Sequence, residues 1–500
     1  MGGTGVADTS KTPNIVFILT DQQRFDTIAA AGFDHMVTPN LDRMVREGVC
    51  FSNMYVTSPS CAPSRASLFT GLYPHTNGVF RNDERWTHSW VRQLADAGYR
   101  CVNVGKMHTS PFEEPFGFHE RHVVENKDRA TDRLPFYLDT WDKAFWTHGL
   151  EKPSRVTYRR REDYRERLGA FTWELPEHLH SDNFVPELAA MWLDRYQGKE
   201  PFFLQIGIPG PHPPYDPTKE YLDIYDGRPL PMPIIDRDAI DRQPSALKKL
   251  REQHLSVDHD AVVHLRNPSD EQLRRQREHY FANVSMIDNQ VGKLIEALER
   301  RGVLDETIII FTSDHGDCLN DHGHSQKWTM YEQSVRVPAV VWSPKGVDRG
   351  RRVDDLVSLF DFGPTILELA GLSVPRWMEA RSLKPYLQGE EVTPRQFVYC
   401  EHAGDRILSG TEFMTMIRDS RYKLVHFVEN DEGQLFDLQE DPLEINDLWN
   451  DQDHQGIKQG LITEILKWRI RSDLKTQGWT QAIASEIGVH TPGGTLRNAR

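Results

Sequence analysis

Four short runs of β-forming apolar residues, each closing on polar or charged groups, restrict the folds open to this chain. Asn14-Ile15-Val16-Phe17-Ile18-Leu19 runs into Asp21 and Gln22, and Cys101-Val102-Asn103-Val104 runs into Gly105 and Lys106. Phe202-Phe203-Leu204-Gln205-Ile206-Gly207-Ile208 ends near His212, and Thr307-Ile308-Ile309-Ile310-Phe311 ends at Asp314 and His315. Unbroken apolar runs of this length suit strands buried on both faces, as in a parallel sheet covered by helices. Helical patterns lie between them, at residues 41–47 and 90–97. The clearest has Tyr280, Val284, Ile287, Val291, Leu294 and Leu298 at alternating spacings of four and three, a stripe made to pack on a sheet. The expectation is an open α/β sheet whose site lies outside the carboxyl ends of its strands.

At 500 residues the chain is long enough for a large α/β domain and a smaller companion. The texture changes near residue 370, so the division expected is 12–370 and 371–500. In the second part, residues 414–418 and 422–428 read as a hairpin around Asp419 and Ser420. The net charge of −15 argues against a nucleic-acid partner, although a locally basic pocket could still take a small anion. No apolar run approaches the roughly 18 residues of a membrane span. The first eleven residues lack the apolar stretch of a secretory signal, and the five scattered cysteines fit reduced thiols. A cytoplasmic protein is therefore expected, a trimmed export signal being the alternative. Asn283-Val284-Ser285 spells a glycosylation acceptor but falls inside the amphipathic helix, and is discounted.

Residues 61–71 carry the chemistry. Pro63 suits the first turn of a helix that Ser64 through Thr70 can continue, which puts Cys61 at its N-terminus. Free backbone N–H groups and the macrodipole favour an anion there. Arg65, one turn on, offers a planar fork for a tetrahedral oxyanion. A sulfur nucleophile beside an anion hole points to esters of sulfate or phosphate. A cysteine-phosphatase loop would need arginine six positions after the cysteine; Ser67 stands there, so that loop is ruled out.

Cys61-x-Pro63-Ser64-Arg65 followed by Leu68-Phe69-Thr70-Gly71 resembles the signature of type I sulfatases, members of the alkaline phosphatase superfamily. The likeness spans residues 12 to about 450, including a Leu435-Phe436-Asp437-Leu438 and Asp441-Pro442 element like that of the small C-terminal sulfatase subdomain. It implies an alkaline-phosphatase-like α/β sandwich: a large, mixed, mostly parallel sheet flanked by helices, with a small C-terminal α+β subdomain built on an antiparallel sheet. It also implies that Cys61 is oxidised by a separate formylglycine-generating enzyme to formylglycine. The hydrated aldehyde has one hydroxyl to attack sulfur and a second whose deprotonation expels sulfate. Serine or cysteine has no such second hydroxyl.

By the same resemblance one divalent cation is held by Asp21, Gln22, position 61, Asp314 and His315. The commoner family pattern has aspartate at position 22 and asparagine at position 315. The two departures lower the shell's charge and add an imidazole, so Ca²⁺, the usual family metal, competes with Mn²⁺ or another transition metal. Arg65, Lys106, His108, His212 and Lys327 match the family's basic residues. Lys106 and Arg65 would hold the aldehyde and sulfate oxygens, His108 would take the second hydroxyl's proton, and His212 with Lys327 would serve the leaving oxygen. Positive side chains there stabilise charge that a second metal handles in alkaline phosphatases. Asn82 corresponds to a substrate-facing asparagine, with a turn residue as the plain alternative.

The reading is hydrolysis of a small anionic sulfate ester. Its rival is a phosphonate monoester or phosphodiester hydrolase of the same superfamily, against which Lys106 and His108 count. A third possibility, an anion-binding protein without turnover, holds if Cys61 is never oxidised. The alcohol half of the substrate and any homo-oligomeric state are not legible. Arginines 155, 159, 160, 161, 165 and 167 and the scattered tryptophans are read mainly as surface and core.

Overall fold

The computed structural model describes residues 12–112, 114–125 and 138–486; the first eleven residues, on which the reading of the N-terminus rested, lie outside them. The four apolar runs are the centre of an eight-stranded sheet. Its strands are β1 (Asn14–Asp21), β2 (Val49–Phe51), β3 (Arg100–Gly105), β4 (Glu120–Val123), β5 (Phe202–Pro211), β6 (Thr307–Ser313), β7 (Ala339–Trp342) and β8 (Arg351–Val353). Their spatial order is β8-β2-β7-β6-β1-β5-β3-β4. Five neighbours, β6, β1, β5, β3 and β4, run parallel, and β7 alone opposes the rest. β1, β3, β5 and β6 therefore end on one edge, and β1 sits between β5 and β6.

Alternation along each strand splits the core in two. Val16, Ile18, Val104, Ile206 and Ile309 face α4 (Ser181–Arg195) and α5 (Asp270–Arg301), meeting Val185, Leu193, Ile287, Val291 and Leu294. Ile15, Phe17, Leu19, Phe203 and Ile310 face the other way, onto Leu68 and Phe69 of α2 (Cys61–Thr70) and Val91 and Leu94 of α3 (Val91–Asp96). The expected helix near residue 41 is α1 (Pro39–Glu47). α5 starts at a capping box of Ser269 and Gln272 and stops at Gly302, whose φ of 72° suits glycine. Asn283 is buried within it and donates to Asp182 Oδ2 at 3.2 Å, which leaves no room for a glycan.

All ten residues of α2 are buried, so it is a core helix with no solvent face. The predicted hairpin is real. It forms the middle of an antiparallel sheet, β9 (Val398–Ala403), β10 (Phe413–Arg418), β11 (Tyr422–Phe427) and β12 (Gly433–Asp437). One face, with Val398, Met414, Met416 and Val425, joins the core around α2. The other holds Tyr399, Ile417 and Leu424 against Trp468 of α6 (Gln455–Glu486), where the Tyr399 and Trp468 rings stack at 4.3 Å. No helix of the described residues is long and apolar enough to cross a membrane. Trp86, Trp90, Trp141 and Trp173 are core, whereas Trp146 stands 70% exposed.

Gly105 tests how strictly the strand edge is set. Its φ is 94°, and a Cβ there would meet Gly207 O at 2.1 Å and Val185 Cγ1 at 2.6 Å. Gly105→Ala is expected to cost about 2 kcal/mol or more and to displace Lys106. A lower thermal midpoint, with activity falling further than stability, checks it.

Candidate active site

β1 delivers Asp21 and then turns sharply: Gln22 takes a φ of 69°, and its N–H donates to Asp314 Oδ1 at 3.1 Å. β6 delivers Asp314 and His315 beside it. Ser64 Oγ donates to the Asp314 carbonyl at 2.6 Å, which latches the first turn of α2 to the end of β6. Cys61 Sγ thus lies 3.7 Å from Asp21 Oδ1 and 3.1 Å from His315 Nε2. Ligand atoms of Asp21, Cys61, Asp314 and His315 all fall within 4.8 Å of one another, and all four residues are buried. Residues separated by almost the whole catalytic region in sequence meet at one point.

This donor set fits a divalent cation. His315 Nδ1 lies 2.9 Å from Gly316 O, which assigns its proton there and leaves the Nε2 lone pair facing the cluster. Asp21 Oδ1 lies on the side of Cys61 and His315, while its Oδ2 is turned to Lys106. Gln22 Nε2 donates to Asp317 Oδ2 at 2.7 Å, so its carbonyl oxygen is the end turned inward. Two carboxylates, an amide oxygen and an imidazole make a mixed O/N shell, more suited to Mn²⁺ or a similar ion than an all-oxygen cage.

Three permanent cations surround the cluster. Arg65 is pinned by Nε to Asp314 Oδ2 at 2.6 Å and by Nη1 to the Lys106 carbonyl at 3.0 Å, leaving Nη2 without a hydrogen bond, 3.8 Å from Asp21. Lys106 pairs directly with Asp21. Lys327 Nζ donates to Gln22 Oε1 at 2.9 Å and to Cys61 Sγ at 3.0 Å. Burial works to raise the Asp21 carboxyl, but Lys106, His212, Lys327 and Arg65 hold it well below the usual carboxylate range. Burial and Asp21 likewise push the Cys61 thiol up, yet Lys327, Lys106 and His315 leave it below its ordinary value.

The two histidines expected to move protons are neutral, His212 fully buried and His108 half-buried. For His108, burial and then Lys106 hold the imidazole far below its usual range; the residue's backbone N–H donates to Glu125 Oε2 at 2.9 Å, and its ring Nδ1 has no partner. For His212, burial and Lys327 bring it down to about 3, and its Nδ1 lies 2.7 Å from Pro213 O. Asn82 Oδ1 accepts from the Ala62 N–H at 3.1 Å and from Ser60 Oγ at 3.2 Å, which caps α2 beside Cys61. Several of these positions sit in left-handed backbone, at Gln22, at His108 and at Gln326 and Trp328 on either side of Lys327. Such conformations cost about 1–3 kcal/mol each and gather at functional sites.

Every site residue named from the sequence therefore converges here. Sequence reasoning missed the supports: Asp317, Glu125 and Asp260. Asp317 was visible as the last residue of Asp314-His315-Gly316-Asp317, but nothing marked it as the acceptor that orients Gln22. Asp260, within 3.7 Å of His212 Nε2, lies in a segment with no motif. Arg155 reaches this region by pairing with Asp260, while Arg159, Arg161 and Arg167 pair with Asp258 and Asp163 as surface charges do.

A sulfatase family profile matches residues 13–372, more than half the chain. The chain belongs to the sulfatase family. A second profile, the C-terminal region of N-sulphoglucosamine sulphohydrolase, matches residues 320–471 of the sulfatase. It is 31% identical to an arylsulfatase of Clostridium perfringens, over 89% of this chain and 91% of that one. It is also 31% identical to a choline-sulfatase of Rhizobium meliloti, covering 88% and 83%. The phosphonate monoester hydrolase of Silicibacter pomeroyi superposes with a TM-score of 0.76 at 25% identity, covering 92% and 96%. The sulfatase is thus a sulfuric ester hydrolase with an alkaline-phosphatase-like fold.

Asp317 offers two oxygens, one to Leu319 N–H at 2.9 Å and one to both Gln22 Nε2 and Tyr215 Oη. Asp317→Asn has only one, so one side of that arrangement loses its acceptor. Calorimetric titration with Mn²⁺ is expected to show roughly tenfold weaker binding for Asp317→Asn.

Proposed function

We propose that this sulfatase cleaves R–O–SO₃⁻ with a formylglycine made from Cys61 and a single divalent metal held by Asp21, Gln22, position 61, Asp314 and His315. The observation that carries the reading is the convergence of Cys61 Sγ with two carboxylates, His315 and Lys327 in one buried cluster. Bound metal would polarise a sulfate oxygen and activate a hydroxyl of the hydrated aldehyde, for which the sulfur at position 61 stands in.

The remaining work falls to side chains already in place. Arg65 Nη2, which makes no hydrogen bond, and Lys106 Nζ, held by its pair with Asp21, supply donors and positive potential to the nonbridging oxygens. Asn82 holds the N-terminal turn of α2 open to the substrate face. His108, neutral with Nδ1 unpartnered, is ready to take a proton from the second hydroxyl. Lys327 and His212 serve the leaving oxygen. The sulfatase's partners in this scheme are a small sulfate ester and, during maturation, the formylglycine-generating enzyme.

Phosphonate or phosphate ester hydrolysis is the second reading, favoured by His315 and Gln22 in the donor set. The Lys106–Asp21 pair weighs against it, because that pair fills the site with a fixed ammonium. Protein coexpressed with a formylglycine-generating enzyme is expected to yield a position-61 peptide with the aldehyde mass. Its kcat/KM on aryl sulfates should exceed that on the matching phosphonate and phosphate esters by tenfold or more, and Cys61→Ala should abolish turnover. A reversed order of substrates favours the second reading, and unmodified cysteine with full activity overturns the first.

A further inference from the structure

His212, read above as the group serving the leaving oxygen, has a neighbour in the segment that carried no motif. We propose that Asp260 is a positioning residue for His212, holding the ring so that Nε2 meets the leaving oxygen of the ester and stabilising the imidazolium when it forms. The inference rests on that reading of His212.

The geometry is specific. His212 Nδ1 faces the Pro213 carbonyl at 2.7 Å, so Nε2 is the nitrogen available for chemistry. Asp260 Oδ2 lies 3.7 Å from Nε2. That is too long for a hydrogen bond, so the Nε2 proton stays free for the substrate, yet near enough for a buried carboxylate to stabilise the charged ring. The support is needed because burial, Lys327 and Lys106 disfavour the imidazolium, and the carboxylates acting the other way are Asp21 and Asp260. Asp21 is already paired with Lys106 and belongs to the metal cluster.

The chain also holds Asp260 at some cost. Asp260 and Ala261 have φ of 53° and 59°, two consecutive left-handed residues without a glycine. Arg155 pairs with Oδ1, which leaves Oδ2 turned to His212. Of the other titratable groups around Asp260, His259 and His254 are kept below their usual range and Tyr215 well above its own, each chiefly by burial, and Lys327 is cationic. In the step itself the S–O bond breaks with its electron pair on the leaving oxygen, which takes the Nε2 proton. The sulfuryl group goes to the nucleophile at position 61, and the neutral imidazole is recharged from water.

The test is the dependence of rate on leaving group. Asp260→Asn keeps the shape, tolerates left-handed backbone and can still accept from Arg155. Asp260→Gly suits that backbone better and serves as the second variant. On 4-nitrophenyl sulfate both variants should lose about threefold or less in kcat/KM. On phenyl and alkyl sulfates, whose oxygens need the proton, the loss should grow to roughly 30–100-fold. His212→Gln should steepen the dependence in the same way, and the double variant should be no worse than His212→Gln alone. Arg155→Ala breaks the same ion pair from the far side and should keep the wild-type slope. Equal loss on every leaving group, or the same slope change in Arg155→Ala, overturns the inference. The series uses whichever ester, sulfate or phosphonate, the wild type turns over. Failure of the functional reading then appears in the wild type's choice of ester, and failure of this inference in the slope alone.

Discussion

The site depends on a buried cluster in which carboxylates and cations hold one another charged away from water. Asp314 takes Arg65 at 2.6 Å with neither side chain exposed, and Asp21 takes Lys106. Buried pairs of this kind return little net stability, because desolvation offsets most of the attraction, yet losing one partner costs about 3–5 kcal/mol. Their presence is better explained by what the cluster can bind than by what it contributes to folding. Asp21, Lys106 and Asp314 arrive from the ends of three different strands and Arg65 from α2, so the parallel sheet and the helix packed on it are the scaffold that makes the cluster possible. Arg65 joins the two halves of the arrangement, since its Nη1 also holds the carbonyl of Lys106.

The same cluster explains the behaviour of the two histidines. In water they would titrate near neutrality; here burial and the neighbouring lysines keep them uncharged. A neutral His108 can accept a proton as it stands. A neutral His212 can donate one only after being charged, which is where a nearby carboxylate matters. One electrostatic environment would thus divide two chemically identical side chains between the two tasks proposed for them.

Much of this was readable from residues. The four apolar runs became the central strands, because continuous Val, Ile, Leu and Phe at that length has few other uses. The Cys61 helix was legible from Pro63 and from the residues that follow it, ending at Gly71, whose φ is 73°. The hairpin at residues 413–427 was found by its turn. The supports were not readable. Asp317 acts on Gln22 across 295 positions, Asp260 reaches His212 from a loop without periodicity, and Glu125 anchors a backbone N–H. Short-range patterns report elements; such pairings exist only once the elements are assembled. The arginine-rich stretch shows the limit from the other side, since Arg155 alone of that group extends to the site region while its neighbours hold surface acids.

One consequence concerns timing. Cys61 is 1% exposed, and the helix it opens has no residue at the surface. In the finished molecule the thiol is closed to any enzyme that must grip the peptide around it. If position 61 is oxidised as proposed, the oxidation would belong to the extended chain, before folding. Chains that collapsed first would keep their thiol, and the yield of active protein would be set by a race between collapse and modification.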